Sequence, residues 1–314
     1  LGVVGGEYDA ASSTETVTSA PVEPAPPMRQ RQLLAQPLAR ELAIVLLAYL
    51  LYGQVRNLID GRISTAEAFA TWLLSLEQSW GIDIELGLNQ WVAAREPVAV
   101  GMNYYYALLH FTVTAGVLIW LWHVHRDKYP LARTSLILGS MVALLGFWLL
   151  PLAPPRLMPN LGYVDTFWFY NTWGSLSDPA LARFSNQYAA MPSLHVGWAL
   201  WSGVVVFLLA RRRWLRTLAL LYPAVTLVVV MGTANHFVLD AVGSVIVMGT
   251  GAALAWLIYH PPQSPRARTR AAVTVVFVAT ALMVLLGALR PPYDIEPPRP
   301  DRLTASVFAG HSNA

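Results

Sequence analysis

The sequence predicts an all-α, polytopic membrane helix bundle, and three observations predict it. Hydrophobic residues make up 55% of the 314 and charged residues only 12%, against about 25% charged in an ordinary soluble domain. Mean hydropathy is +0.46. Long apolar runs alternate with short basic connections along most of the chain. The composition excludes an intrinsically disordered protein and argues against an ordinary soluble one. The absence of cysteine excludes disulfide scaffolds, zinc–thiolate sites, iron–sulfur clusters and cysteine nucleophiles. A net charge of +3 is accounted for by basic loops on one membrane face and does not require a nucleic-acid partner.

Residues 1–37 read as a disordered cytoplasmic tail, because 1–28 are mostly Ala, Ser, Thr, Glu and Pro and cannot bury enough surface to offset ordering entropy. Residues 38–289 read as the transmembrane domain, and 290–314, proline-rich and sparsely charged, as an extracytoplasmic tail. A helix needs about 20 residues to cross the hydrocarbon, and seven runs qualify: 38–55, 101–124, 134–153, 190–210, 214–232, 237–259 and 271–289. Arg40 and Glu41 open the first. Arg216 near the start of the fifth can snorkel, and Pro223 within it is tolerable in a packed bundle.

Seven spans place Arg29, Arg31 and Arg40, then Arg126, Lys128 and Arg133, then Arg211, Arg212, Arg213 and Arg216, then Arg266, Arg268 and Arg270 on one face, 13 of the 21 basic residues. The positive-inside rule makes that face cytoplasmic, with the N-terminus inside. Two segments then lie outside. In 56–100, Ser64 or Thr65 can cap a helix carrying Phe69, Trp72, Leu73 and Leu76 on one side, and Ile84, Leu88, Trp91 and Val92 form a second short apolar face. These are two amphipathic helices on the outer surface or a helical hairpin packed on the bundle. The second segment, 154–189, carries Tyr163, Phe167, Trp168, Phe169, Tyr170 and Trp173, and is long for a plain connection.

Ionisable groups inside a membrane are costly and mark functional sites by default. Three short stretches bring such groups to the outer face: Ala153-Pro154-Pro155-Arg156 at the end of the third span, Met191-Pro192-Ser193-Leu194-His195 at the start of the fourth, and Asn235-His236-Phe237-Val238-Leu239-Asp240 at the start of the sixth. His236 and Asp240, four apart, are expected to share a helix face, where the carboxylate fixes the imidazole tautomer and sharpens the other nitrogen as nucleophile or base. Arg156 offers a planar fork for phosphate oxygens, and Ser193 sits at a helix start that favours anions. His195 can protonate a leaving group. Asn186, Tyr188 and Asn235 lie close by in sequence, and His110 either lines the pocket or bonds a neighbouring helix. Two imidazoles and a carboxylate can also hold a metal ion, but the set lacks a further evident ligand and contains a phosphate-type arginine.

At Pro192-Ser193-Leu194-His195 and His236-x-x-x-Asp240 the sequence resembles the type 2 phosphatidic acid phosphatase superfamily. It is most similar to the branch of inositol-phosphorylceramide synthases and bacterial relatives, which has Pro-Ser-Leu-His where lipid phosphatases usually have Pro-Ser-Gly-His. The resemblance spans about Leu38 to Tyr259 and implies a six-span core with an outward-facing site, a phosphohistidine intermediate and no cofactor or metal. It implies His236 as nucleophile, Asp240 as its orienting partner, His195 as general acid and then base, and Arg156 and Ser193 as holders of the phosphoryl oxygens. Two positions depart from the phosphatase pattern. Its lysine seven residues before the arginine is Leu149 here, and its Ser-Arg upstream of the nucleophile is Val229-Val230. Fewer cations suit a phosphodiester better than a terminal monoester.

The expected activity is therefore transfer of a phosphoryl or phospho-head group from a membrane lipid donor to an alcohol or lipid-linked acceptor, on the extracytoplasmic side of the plasma membrane. A lipid-phosphate phosphatase would use the same residues with water as acceptor. A proton-coupled transporter with a His/Asp relay is the alternative of a different class. Its polar groups would run through the depth of the bundle rather than gather at one end.

Overall fold

In the computed structural model the described residues are Gly2, 38–58, 63–172 and 188–288. They form an all-α bundle without a β-strand: α1 (Leu38–Leu58), α2 (Ile63–Trp80), α3 (Glu85–Ala93), α4 (Glu96–Val124), α5 (Tyr129–Leu149), α6 (Thr166–Phe169), α7 (Leu194–Leu209), α8 (Arg213–Gly232), α9 (Asp240–Tyr259) and α10 (Pro265–Ala288). Five of these, α1, α4, α5, α8 and α9, are long and apolar enough to cross a membrane, and α7 is a shorter apolar helix. The chain is an integral membrane protein by that measure. The expectations for the two tails and for Asn186 and Trp173 lie outside the described residues.

Several boundaries differ from the expected ones, each for a local reason. Helix α4 begins five residues earlier than expected because Pro97 sits in its first turn, where a missing N–H costs nothing. Helix α5 begins at Tyr129 and stops at Leu149 rather than 153. The residues that follow leave the helix to pair with the segment before α7: Leu152 N–H donates to the Tyr188 carbonyl (3.0 Å), and Ala190 N–H to the Leu152 carbonyl (3.2 Å). Helix α10 starts at Pro265, but it is not among the five long apolar helices. Arg216 satisfies the end of α7 by donating to the Phe207 carbonyl (2.9 Å).

Helices α2 and α3 are packed on the bundle through buried side chains. Helix α2 begins at Ile63, so Ser64 and Thr65 lie inside it rather than capping it, and Phe69, Trp72 and Leu73 are buried in the core. Helix α3 corrects the expected face. Ile84 and Trp91 are exposed, while Glu85, Asn89, Val92 and Ala93 are buried. The reason is Asn89, whose side-chain amide donates to the carbonyls of Val164 (3.0 Å) and Gly232 (2.9 Å) and accepts from the Val164 N–H (2.8 Å). One buried amide thus ties α3 to the aromatic loop and to the end of α8.

The tightest helix pair is α5 with α9. A Cβ on Gly251 would fall 2.2 Å from the Gly139 amide nitrogen, so the two backbones touch. Small residues permit such approach where no aqueous hydrophobic force drives association. At the other end of the same pair, Gly146 lies under the Pro192 ring, and Gly243 packs against it as well. Helix α1 is tied to α5 by a buried ion pair, Arg133 with Glu41.

Gly251→Val is expected to destabilise the bundle by at least the ~1–3 kcal/mol of an overpacked core, read as a lower melting temperature in detergent. Gly249→Val is the control, since a Cβ there meets nothing within 4 Å. Equal behaviour of the two variants would contradict the backbone contact.

Candidate active site

Three chain segments converge at one end of the bundle. The first is the turn after α5, the second the start of α7, and the third the connection from α8 to α9. Residues from all three line one cavity of about 550 Å³, among them Arg156, Pro192, His195, Asn235 and His236. Helix α4 closes it with Tyr106, His110 and Phe111.

The α8–α9 connection carries His236 and leads to Asp240. Helix α8 ends at Gly232, and the chain reverses through Ala234, whose φ of +53° is a left-handed conformation that an L-residue rarely adopts. The Asn235 and His236 amides both donate back to the Val230 carbonyl (2.9 and 3.2 Å). His236 therefore lies in a turn before the helix, not on a helix face as its spacing suggested, since α9 begins only at Asp240. The expected contact forms all the same. His236 Nδ1–H donates to Asp240 Oδ2 (2.9 Å), and the Phe237 N–H donates to the same oxygen (3.1 Å). The carboxylate, acceptor only, fixes the tautomer and leaves the Nε2 lone pair available. Asp240 is fully buried and begins a helix, where the dipole favours its charge.

His195, on the first turn of α7, has its ring centroid 6.0 Å from that of His236. Its orientation is set by α4: Tyr106 stacks on it at 4.0 Å and His110 meets it at 4.1 Å. His110 lines the cavity, and its Nδ1 bonds the Tyr106 carbonyl of its own helix (2.9 Å) rather than a neighbouring helix.

Arg156 is buried and held on several sides. Its backbone N–H donates to the Ala234 carbonyl (2.7 Å), its Nε–H to Asn235 Oδ1 (3.1 Å), and its Nη1 to Asp165 Oδ2 (3.4 Å). Asn235 is pinned in turn by Thr233 (2.9 Å to Oγ1). Arg156 and the histidine loop are thus one hydrogen-bonded unit. Tyr188 lies near enough for the Arg156 charge to oppose the upward shift that burial and Glu67 give its hydroxyl, although it is not a lining residue.

Ser193 is fully buried and is not among the residues lining the cavity; its Oγ caps α7 by accepting from the Val196 N–H (3.4 Å). Its carbonyl accepts from Ser244 Oγ (2.6 Å), and its N–H donates to the Asp240 carbonyl (3.4 Å). Ser193 joins the starts of α7 and α9. Val229 and Val230, at the positions of the missing Ser-Arg, are buried core residues. Arg156 is the single Lys or Arg among the described lining residues.

Residue-by-residue reading did not find Asp165, Tyr106 or Glu77. Asp165 carried a legible signal, an Asp before a short aromatic run, and it caps α6 through the Phe167 and Trp168 amides (3.0 and 3.1 Å). Tyr106 and Glu77 carried none, because their partners are distant in sequence. Among the described residues, no group of three or more His, Asp and Glu is placed to hold a metal ion.

The profile of the PAP2 superfamily matches residues 71–254, more than half of the chain and all three converging segments. No curated protein and no solved structure matches it.

Inorganic phosphate is expected to raise the melting temperature of the protein in detergent by binding at Arg156. Arg156→Lys keeps the charge but loses the Nε–H bond to Asn235 and the planar fork, so phosphate affinity should fall about tenfold, as for loss of a hydrogen bond to a charged group. An unchanged phosphate titration in Arg156→Lys would show that the fork does not face the ligand.

Proposed function

The chain belongs to the PAP2 superfamily, and on that premise we propose that it is a membrane phosphotransferase. It moves a phosphoryl or phospho-head group from a lipid donor to an alcohol acceptor through a covalent histidine intermediate. The observation that carries this reading is that His236, backed on Nδ1 by Asp240, lines one cavity with Arg156 and with His195, whose ring centroid is 6.0 Å away. A nucleophile and a proton donor lining one cavity suit a phosphorus centre that exchanges one apical ligand for another.

In the proposed sequence, His236 Nε2 attacks phosphorus and the bond from phosphorus to the donor alcohol oxygen breaks. His195, protonated, gives its proton to that oxygen, and the donor alcohol leaves. An acceptor hydroxyl then loses its proton to His195 and attacks the phosphohistidine, restoring neutral His236. Asp240 stabilises the imidazolium character that develops on attack, and the Arg156 guanidinium holds the non-bridging oxygens. None of these steps calls for a metal ion.

Two features favour a lipid phosphodiester as donor. A diester carries less charge than a terminal monoester, which fits a cavity whose described lining has one guanidinium. The cavity also shares Tyr49, Tyr52, Phe111 and Trp198 with an almost wholly apolar chamber of about 470 Å³ between α1, α4, α5 and α7. A head group at Arg156 and a hydrocarbon chain in that chamber satisfy both surfaces at once. The Pro-Ser-Leu-His sequence supports a likeness to the inositol-phosphorylceramide-synthase branch. Basic loops at the opposite helix ends support an extracytoplasmic site at the plasma membrane.

The test uses purified protein with chelator, a glycerophospholipid labelled in its phosphate, and a long-chain lipid alcohol. Label is expected in the new lipid ester, and His236→Ala should lower the rate on the order of 10³-fold or more. Inorganic phosphate as the main product would make the enzyme a hydrolase. Turnover unaffected by His236→Ala would overturn the reading.

A further inference from the structure

Behind the reactive turn lie two carboxyl groups that the proposed chemistry does not use. Glu77 on α2 and Glu85 at the start of α3 are both fully buried. Glu77 Oε1 accepts from the Leu239 N–H at 2.7 Å. Leu239 immediately precedes Asp240 and is the N-cap of α9, and its side chain supplies no cap. The carboxyl of Glu77 therefore does from 162 residues away what the Glu of a capping box does locally, accepting from the amide of the N-cap residue. Glu77 Oε2 and both oxygens of Glu85 have no N–H or O–H partner on any other residue, and the two carboxyls are within hydrogen-bonding reach of each other. Two carboxylates cannot bond; two carboxyls with one proton can, and a buried pair is tolerable only in that form.

We propose that Glu77 and Glu85, bridged by one proton, are positioning residues for the reaction: through the Leu239 amide they fix the turn that holds Asp240 against His236. The inference rests on the phosphotransferase reading for its kinetic consequence but not for its thermodynamic one. Asp240, on α9, faces Glu77 and reinforces retention of the proton, and the Tyr163 hydroxyl lies close enough to feel both carboxyls. Burial raises Glu77 well above its ordinary 4.5, and the hydrogen bond and charge of Glu85 raise it further, while the Leu239 amide opposes the shift. The unfolded chain releases this proton near pH 4.5 and the folded chain does not. The stabilisation is therefore complete at acid pH and is lost as pH rises toward the folded value.

The experiment compares Glu77→Gln, Glu77→Ala and Glu85→Gln with the unaltered protein in melting temperature from pH 5 to pH 9 and in steady-state transfer. Gln at 77 keeps an oxygen for Leu239 and an N–H for Glu85 without needing a proton. Its melting temperature should fall less with rising pH than that of the unaltered protein, and its kcat should stay within about threefold of it. Glu77→Ala should lose kcat about tenfold or more with KM little changed. If Glu77→Ala does not fold, Glu85→Gln carries the test, since it too should flatten the fall with pH. Equal pH dependence in all folded variants, Gln as defective as Ala, or an unimpaired kcat in Ala would each overturn the inference. Absence of transfer in the unaltered protein would instead overturn the function, and the melting curves would still decide the carboxyl pair.

Discussion

The hydrogen bond from His236 Nδ1 to Asp240 Oδ2 (2.9 Å) is the interaction on which the rest of the reactive end depends. It forms inside a four-residue turn, where nothing in the local helix geometry holds the two side chains together. The surroundings do so instead. Val230 anchors the turn from α8, Ser193 and Ser244 bind the start of α9 to the start of α7, and Glu77 holds the Leu239 amide. Each tether comes from a different part of the chain, so the imidazole is aimed before any substrate arrives.

A bundle in lipid cannot rely on water to drive its helices together, and the close packing follows from that constraint. Glycines let α5 and α9 touch at Gly139 and Gly251, and the same pair seats Pro192 between Gly146 and Gly243. Backbone contact fixes where α5 ends and α9 begins. Arg156 leaves one of these ends and Asp240 opens the other. Packing at the centre of the bundle thereby sets distances at its reactive end. Lateral to that end lies the apolar chamber beside α1.

Helices were legible wherever the apolar run was long, and so was their convergence, because three polar stretches fell at the same ends once the basic loops were aligned. Legibility failed where a partner lay far off in sequence. Nothing near Glu85 or Asn89 announces that α3 buries its polar face, since the partners are Glu77, Val164 and Gly232. The four-residue spacing of His236 and Asp240 led to the right contact through the wrong element, for α9 lacks a side-chain cap that would mark its start. Ser193 was legible as a helix start, and its hydroxyl caps α7 by accepting from the Val196 N–H. The proline-ended third span looked longer than α5 is, because Leu150 to Ala153 are apolar, but Leu152 pairs with Tyr188 and Ala190 and the Ala153 N–H donates to the Ala66 carbonyl instead of continuing the helix.

The central claim is that His236 carries the phosphoryl group between donor and acceptor. The most direct measurement is a rapid quench in base, with chelator present and no acceptor, after mixing purified protein with phosphate-labelled lipid donor, followed by mapping of the label. Base-stable, acid-labile label is expected on His236 and absent in His236→Ala; once an acceptor alcohol is added, the label should persist longer in His195→Ala, where the acceptor step lacks its base. Turnover without label on His236, or label that survives His236→Ala, would contradict it.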